Sequence, residues 1–170
     1  MNLGNRRIKN PELTAEFEQL GFDEVHTFRA SGNVIFESEK GAESTLRRKI
    51  EAGLADGLGY DVPVFLRSVA ELAEIAAQKP FKPKLVEASK GKLQVLLLSR
   101  APAAKARKTV LELATDEDLL AIEGRELYWL PSGGISDSDL DLKAIEKELG
   151  KGTMRTMGTV EQIAAKHCGN

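Results

Sequence analysis

The chain has 170 residues, 42% hydrophobic and 29% charged, the balance of an ordinary globular protein with enough apolar material for a core. A formal charge of −2, with Lys and Arg spread along the chain, argues against a dedicated nucleic-acid or membrane binder. The single cysteine, Cys168, excludes an internal disulfide and suits a reducing cytoplasm. No apolar run approaches the ~18 residues of a membrane span, and the start of the chain lacks the apolar stretch of a signal peptide. These features predict a cytoplasmic protein of one domain or two small ones.

In chain order, Asn10-Pro11-Glu12 followed by Leu13, Phe17, Leu20 and Gly21 predicts a short helix, with Asn10 as N-cap and Gly21 as the stop. Val25 to Arg29 and Val34 to Glu37 alternate apolar and polar residues around Ser31-Gly32-Asn33, which predicts a β-hairpin. Leu46, Ile50, Leu54 and Leu58 recur every four residues and predict an amphipathic helix from about Ala42. Asp61 to Arg67 is rich in β-branched and aromatic residues and predicts a strand, and Ser68-x-x-Glu71 is a capping box opening a further helix. Pro80, Pro83 and five lysines between Gln78 and Lys92 interrupt any helix and predict a boundary.

Beyond it, Leu93 to Ser99 is almost wholly apolar, as a strand covered on both faces should be. Ala103, Ala106, Val110 and Leu113 mark a helix. Leu119 to Ile122 and Leu127 to Leu130 form a second hairpin around Glu123-Gly124-Arg125-Glu126. Ser138-x-x-Asp141 then caps a helix with the stripe Leu142, Ile145 and Leu149, stopped by Gly150. Val160, Ile163 and Ala164 predict a last short helix.

The two halves share an element order. The second reads strand, helix, hairpin, helix; the first would read β-α-β-β-α-β if one strand preceded Pro11. The expected class is therefore α+β, with two small ferredoxin-like (βαββα-type) units packed together, the first lacking its N-terminal strand. Residues 1–78 are expected to form the first unit, 79–92 a linker, and 93–170 the second unit with a C-terminal helix. The same reasoning makes Met1 a late start, with some ten to twenty residues upstream supplying one strand and its turn.

Three blocks carry a family resemblance: Ser31-Gly32-Asn33-Val34 with Phe36; Leu127-Tyr128-Trp129-Leu130-Pro131-x-Gly133-Gly134 with Ser138 and Leu140; and Thr153-x-Arg155 with Thr159-Val160. With them the chain resembles domain-of-unknown-function family 1697 (DUF1697), uncharacterised bacterial cytosolic proteins with a fold but no established activity. It departs from the usual pattern in three places. Only Asn2-Leu3-Gly4-Asn5 is similar to the end of the strand and G-I-N-V-G-G-like turn that open such proteins. Asp139 stands where lysine is common, and Thr156-Met157 where Asn-Trp is common.

Candidate chemistry gathers at few positions. Ser31, Gly32 and Asn33 could present an anion-binding nest of N–H groups, although turn geometry alone explains Gly and Asn there. The run containing Ser136 and Ser138 leads from a strand into a helix start, where free N–H groups and the helix dipole welcome a phosphate or carboxylate. Asp137, Asp139 and Asp141 put negative charge in the same turn and favour capping instead. Arg155 is the cation of the terminal block. Neither a Walker loop nor a dinucleotide fingerprint is present, so no cofactor is expected. His26 and His167 each lack a second ligand at metal spacing, so no metal is expected.

The reading that follows is a non-catalytic binding or interaction protein. The alternative is an enzyme acting on a small anionic metabolite in the cleft between the two units, with Ser31, Gly32, Asn33, Ser136, Ser138 and Arg155 as the ligand-binding set. RNA binding is a weaker alternative, since neither hairpin carries the basic and aromatic pattern it needs. No membrane partner is expected, and an unpaired sheet edge offers a homo-oligomer contact.

Overall fold

A computed structural model describes residues 2, 3 and 6–168, with backbone alone for residues 2, 3 and 6. The chain is an α+β protein of two compact units that divide between Leu66 and Arg67.

The first unit begins with two short antiparallel strands, β1 (Asn2–Leu3) and β2 (Arg6–Arg7). The Asn2-Leu3-Gly4-Asn5 segment lies partly, and Met1 wholly, outside the described residues. Helix α1 (Asn10–Gln19) is capped by Lys9 rather than by Asn10. The Glu12 carboxylate accepts from the Lys9 N–H at 3.0 Å, while the Asn10 amide is drawn away to the Arg29 carbonyl, also at 3.0 Å. The hairpin forms as expected, from β3 (Asp23–Phe28) and β4 (Asn33–Glu37), and α2 (Glu43–Leu58) follows, closed by Gly59 at φ +77°. Phe17, Phe22 and Phe36 pack as tilted rings with centroids 4.6–5.9 Å apart. Ile8, Leu13, Ile50, Leu54 and Val62 complete this core.

One expected element is missing. Residues 61–67 join no ladder among the described residues, although Val62, Val64 and Leu66 pack on the core at strand spacing. Pro63 has no N–H to give, and the Val64 N–H donates to the Glu51 carboxylate at 3.0 Å instead of to a neighbouring strand. Among the described residues this unit has two two-stranded sheets, β1–β2 and β3–β4. The ferredoxin-like order expected of this unit is not seen among the described residues.

The second unit opens with α3 (Val69–Ala77), whose Ser68/Glu71 capping box is present in both directions. It continues through α4 (Pro83–Ala88), β5 (Gln94–Leu98), α5 (Ala104–Leu111), β6 (Asp118–Glu123), β7 (Glu126–Pro131), a 3-10 turn at Ile135–Asp137, α6 (Leu142–Leu149), β8 (Gly152–Thr156) and α7 (Met157–His167). From β5 to β8 this is β-α-β-β-α-β, with an antiparallel sheet in the order β6-β7-β5-β8. Leu98, Ile122 and Leu127 of the sheet bury against Val110 of α5 and Ile145 and Leu149 of α6.

Residues 67–92 are not the end of one unit plus a linker. The Arg67 guanidinium donates to Glu126 at 2.7 Å and to the Leu98 carbonyl at 2.8 Å, and α3 packs on α7. Ser89 donates to the Pro131 carbonyl, the Lys90 N–H donates to Ser132, and a Cβ on Gly91 would meet the Gly133 oxygen at 2.5 Å. These are long-range contacts that local proline and lysine content does not reveal. Leu142, expected to face the core, is 44% exposed at the first turn of α6. None of the described helices is long and apolar enough to cross a membrane.

Candidate functional site

The hairpin loop of the first unit is held by its own side chains. Gly32 takes φ +74° and Arg29 +57°, and Asn33 spans the turn by donating to the Phe28 carbonyl at 3.1 Å and to the Ser31 hydroxyl at 2.8 Å. Ser31 and Asn33 therefore staple the loop, and Gly32 supplies the left-handed residue it needs.

The β7–α6 connection is organised by a buried carboxylate that sequence reading missed. Asp118, 5% exposed at the start of β6, accepts from the Trp129 indole N–H at 2.8 Å and from the Ser138 hydroxyl at 2.8 Å. The Ser138 oxygen in turn accepts from the Leu140 N–H at 3.1 Å. Ser138 is not the helix cap; Asp141 is, accepting from Ala144 at 2.9 Å. Ser136 is exposed within the 3-10 turn, one turn ahead of α6. The helix start expected around Ser136 and Ser138 therefore lies further along the chain, with a carboxylate already on its first amides.

Arg155 lies on β8, opposite Val95 of β5. Its guanidinium donates to the Thr153 hydroxyl at 2.7 Å and to the Met154 carbonyl at 2.8 Å, and burial pulls its pKa below the usual arginine value. In the order β6-β7-β5-β8, Asp118 with its bound Ser138 is on one edge strand and Arg155 on the other. Three strand spacings separate those edges, roughly 14 Å. The structure does not bring Ser138 and Arg155 into one site.

Two further features bear on chemistry. A chain of charges, Arg67–Glu126 and Arg125–Glu71 at 2.7 and 2.9 Å, ties the start of α3 to the sheet. Beside it, burial, then the charges of Glu126 and Glu123, push the Tyr128 hydroxyl well above its ordinary pKa against the opposing charge of Arg67, so it is a neutral phenol across the physiological range. A recess lined by Leu96, Leu127, Trp129, Ile145 and Met154 lies between sheet and α6, with Glu146 as its one charged lining residue. An apolar recess with a carboxylate does not suit an anion. Among the described residues no group of three His, Cys, Asp or Glu could hold a metal ion. Neither Asp118 nor Arg67 carries a local sequence signal, because their partners are 11 to 59 residues away.

The fold and these interactions define an α+β protein whose motif residues bind one another. The chain belongs to the family described as "Protein of unknown function (DUF1697)", which it matches over residues 1–128. That span contains the first resemblance block and only reaches the beginning of the second. The structure is similar to that of a conserved bacterial protein, SP0830, from Streptococcus pneumoniae, with a TM-score of 0.72 and 17% sequence identity over 98% of this chain and 92% of that one. No curated protein matches.

Proposed function

We propose that the protein is a non-catalytic binding or interaction module of the cytoplasm that binds through strand pairing at the outer edge of β4. The observation that carries this reading is that the polar side chains of the motif blocks are taken up inside the fold: Ser31 by Asn33, Ser138 by Asp118, Trp129 by Asp118. A catalytic group must reach the proton or atom it acts on, and hydroxyls held this way serve structure. β4, by contrast, has a ladder on one side only among the described residues, and such an edge is a template for another strand.

Two copies pairing at this edge give the homo-oligomer form of the reading. Sedimentation velocity of the native chain and of Ile35→Lys across a range of concentrations tests it. Ile35 alternates with the core-packed Val34 and Phe36, so the lysine goes to the other face. Self-association of the native chain and its loss in the variant are expected, because like charges meet across a paired edge. Concentration-independent monomers in both would remove this form.

A small anionic ligand at Arg155 is the second reading, favoured by a half-buried guanidinium on an edge strand. A thermal-shift screen of phosphate- and carboxylate-bearing metabolites separates the two, since a ligand at ~100 times its dissociation constant adds ~2.7 kcal/mol. Stabilisation that disappears in Arg155→Ala would replace the interaction reading with this one.

A further inference from the structure

Leu96 sits in the middle of β5, with Leu127 of β7 opposite it on one side and Met154 of β8 on the other. It packs on the core that α5 and α6 cover, and Val95, Leu97 and Leu98 beside it are buried. Leu96 itself is only half-buried, and so are Met154 and Leu140. With Leu142, 44% exposed at the first turn of α6, they line the recess between the sheet and that helix. Leu127, Trp129 and Ile145 are its buried lining. The recess holds about 130 Å³, close to the ~150 Å³ of an apolar cavity that takes one benzene ring.

The residues that the second motif block ties together build part of its wall. Trp129 is held by the bond from its indole N–H to Asp118. Leu140 is held through Ser138, whose hydroxyl donates to the same carboxylate and accepts from the Leu140 N–H. Two glycines complete the lining: Gly150 turns the chain at φ +80°, and a Cβ on Gly152 would meet Leu96 at 2.8 Å. Glu146 follows Ile145 on α6, one turn after Leu142, and is exposed, which puts its carboxylate at the mouth. Lys143 and Lys151 are exposed nearby in the chain, but among the described residues Glu146 is the charged one that lines the recess.

We propose that this recess binds a small organic ammonium ion: an apolar group the size of one ring enters between the sheet and α6, and its ammonium pairs with the Glu146 carboxylate. The lining selects both parts, since the walls are aliphatic and aromatic and the charge at the mouth is negative. β5 is bonded to β7 on one side and β8 on the other, so an extended peptide gains no ladder there. One apolar contact and one charge suit a small molecule. The site lies within the second unit and goes beyond strand pairing at β4, which belongs to the first.

The test uses the full chain with phenethylammonium as the probe, beside phenethyl alcohol and phenylpropionate, which keep the ring and change the charge. Binding is read from the fluorescence of Trp129, the only tryptophan, and from the methyl resonances of Leu96, Ile145 and Met154. Saturable shifts are expected with the ammonium, at about three- to fivefold higher affinity than with the alcohol, the worth of an exposed ion pair. The carboxylate should bind most weakly, and added salt should narrow the preference. Glu146→Gln should bring the ammonium and the alcohol level, and Glu146→Lys should turn the preference towards phenylpropionate. Both changes are at an exposed helical position that tolerates them. Absence of saturable shifts at these side chains overturns the proposal. So does equal affinity for ammonium and alcohol in the native chain, and so does an ammonium preference that survives Glu146→Gln, which would place the cation elsewhere.

Discussion

Replacing Ser138 by Ala tests whether the second motif block is structural. The hydroxyl donates to the Asp118 carboxylate at 2.8 Å and accepts from the Leu140 N–H at 3.1 Å. A hydrogen bond to a charged group contributes about 1.5–3 kcal/mol, and the neutral one about 0.5–1.5 kcal/mol where water does not replace it. Asp118 is 5% exposed, so its freed oxygen gains little from solvent, while Leu140 is half-buried and recovers part of its bond. The expected loss is about 2–3 kcal/mol. Urea denaturation followed by Trp129 fluorescence reads it directly, because that side chain lies in the same unit and donates to the same carboxylate. Adding Trp129→Phe, followed by circular dichroism, should cost more than the sum of the two changes, since Asp118 then loses both donors and its buried charge is uncompensated. A loss below about 0.5 kcal/mol for Ser138→Ala, the range of an ordinary surface change, would refute the structural role and return Ser138 to the ligand-binding candidates.

The remaining predictions concern other elements. Gly32→Val should cost about 1–3 kcal/mol through strain at φ +74°, and Gly32→Ala less, read from exchange of the β4 amides; unchanged protection in both would contradict the turn geometry. Ile145→Ala, at 1% exposure, should cost about 2–5 kcal/mol and the exposed Lys147→Ala no more than about 0.5, with equal denaturation midpoints speaking against this packing of α6. Burial raises the Glu71 pKa, but the Ser68 amide and hydroxyl and the Arg125 guanidinium outweigh it and hold the carboxyl below its ordinary 4.5. Its cap on α3 is therefore complete above that value and lost as pH falls through the lower folded one. A carboxyl titration by NMR should find the native midpoint below 4.5 and Arg125→Gln moving it up; a native midpoint at or above 4.5 would contradict the pairing.

Local signals were legible and long-range ones were not. The hairpin at Gly32, the capping box at Ser68 and Glu71, and the stop at Gly150 each follow from residues within a few positions, and each formed. Asn10 failed as a cap because a carbonyl 19 residues away took its amide, and Ser138 failed because a carboxylate 20 residues back took its hydroxyl. β8 escaped notice because Gly152-Thr-Met-Arg-Thr has no apolar alternation; it is a strand because Leu96 and Leu97 of β5 pair with it, and a Cβ on Gly152 would meet Leu96 at 2.8 Å. The boundary was misplaced for a similar reason. Proline and lysine density predicts a linker, but the Arg67–Glu126 pair and the Ser89 and Lys90 bonds bring residues 67–92 into the second unit.

The strand expected over residues 61–67 is the instructive failure. Its composition is right, and its inward residues Val62, Val64 and Leu66 reach the core as a strand's would. Side-chain periodicity decides which face is buried, but a strand exists only when a neighbour supplies the other half of each backbone bond. In the second unit β8 has that neighbour in β5, and with a less apolar sequence it is a strand. In residues 61–67, by contrast, Pro63 has no N–H to give and the Val64 N–H goes to the Glu51 carboxylate. Apolar alternation is enough to send one face of residues 61–67 to the core, and it is not enough to make a ladder among the described residues.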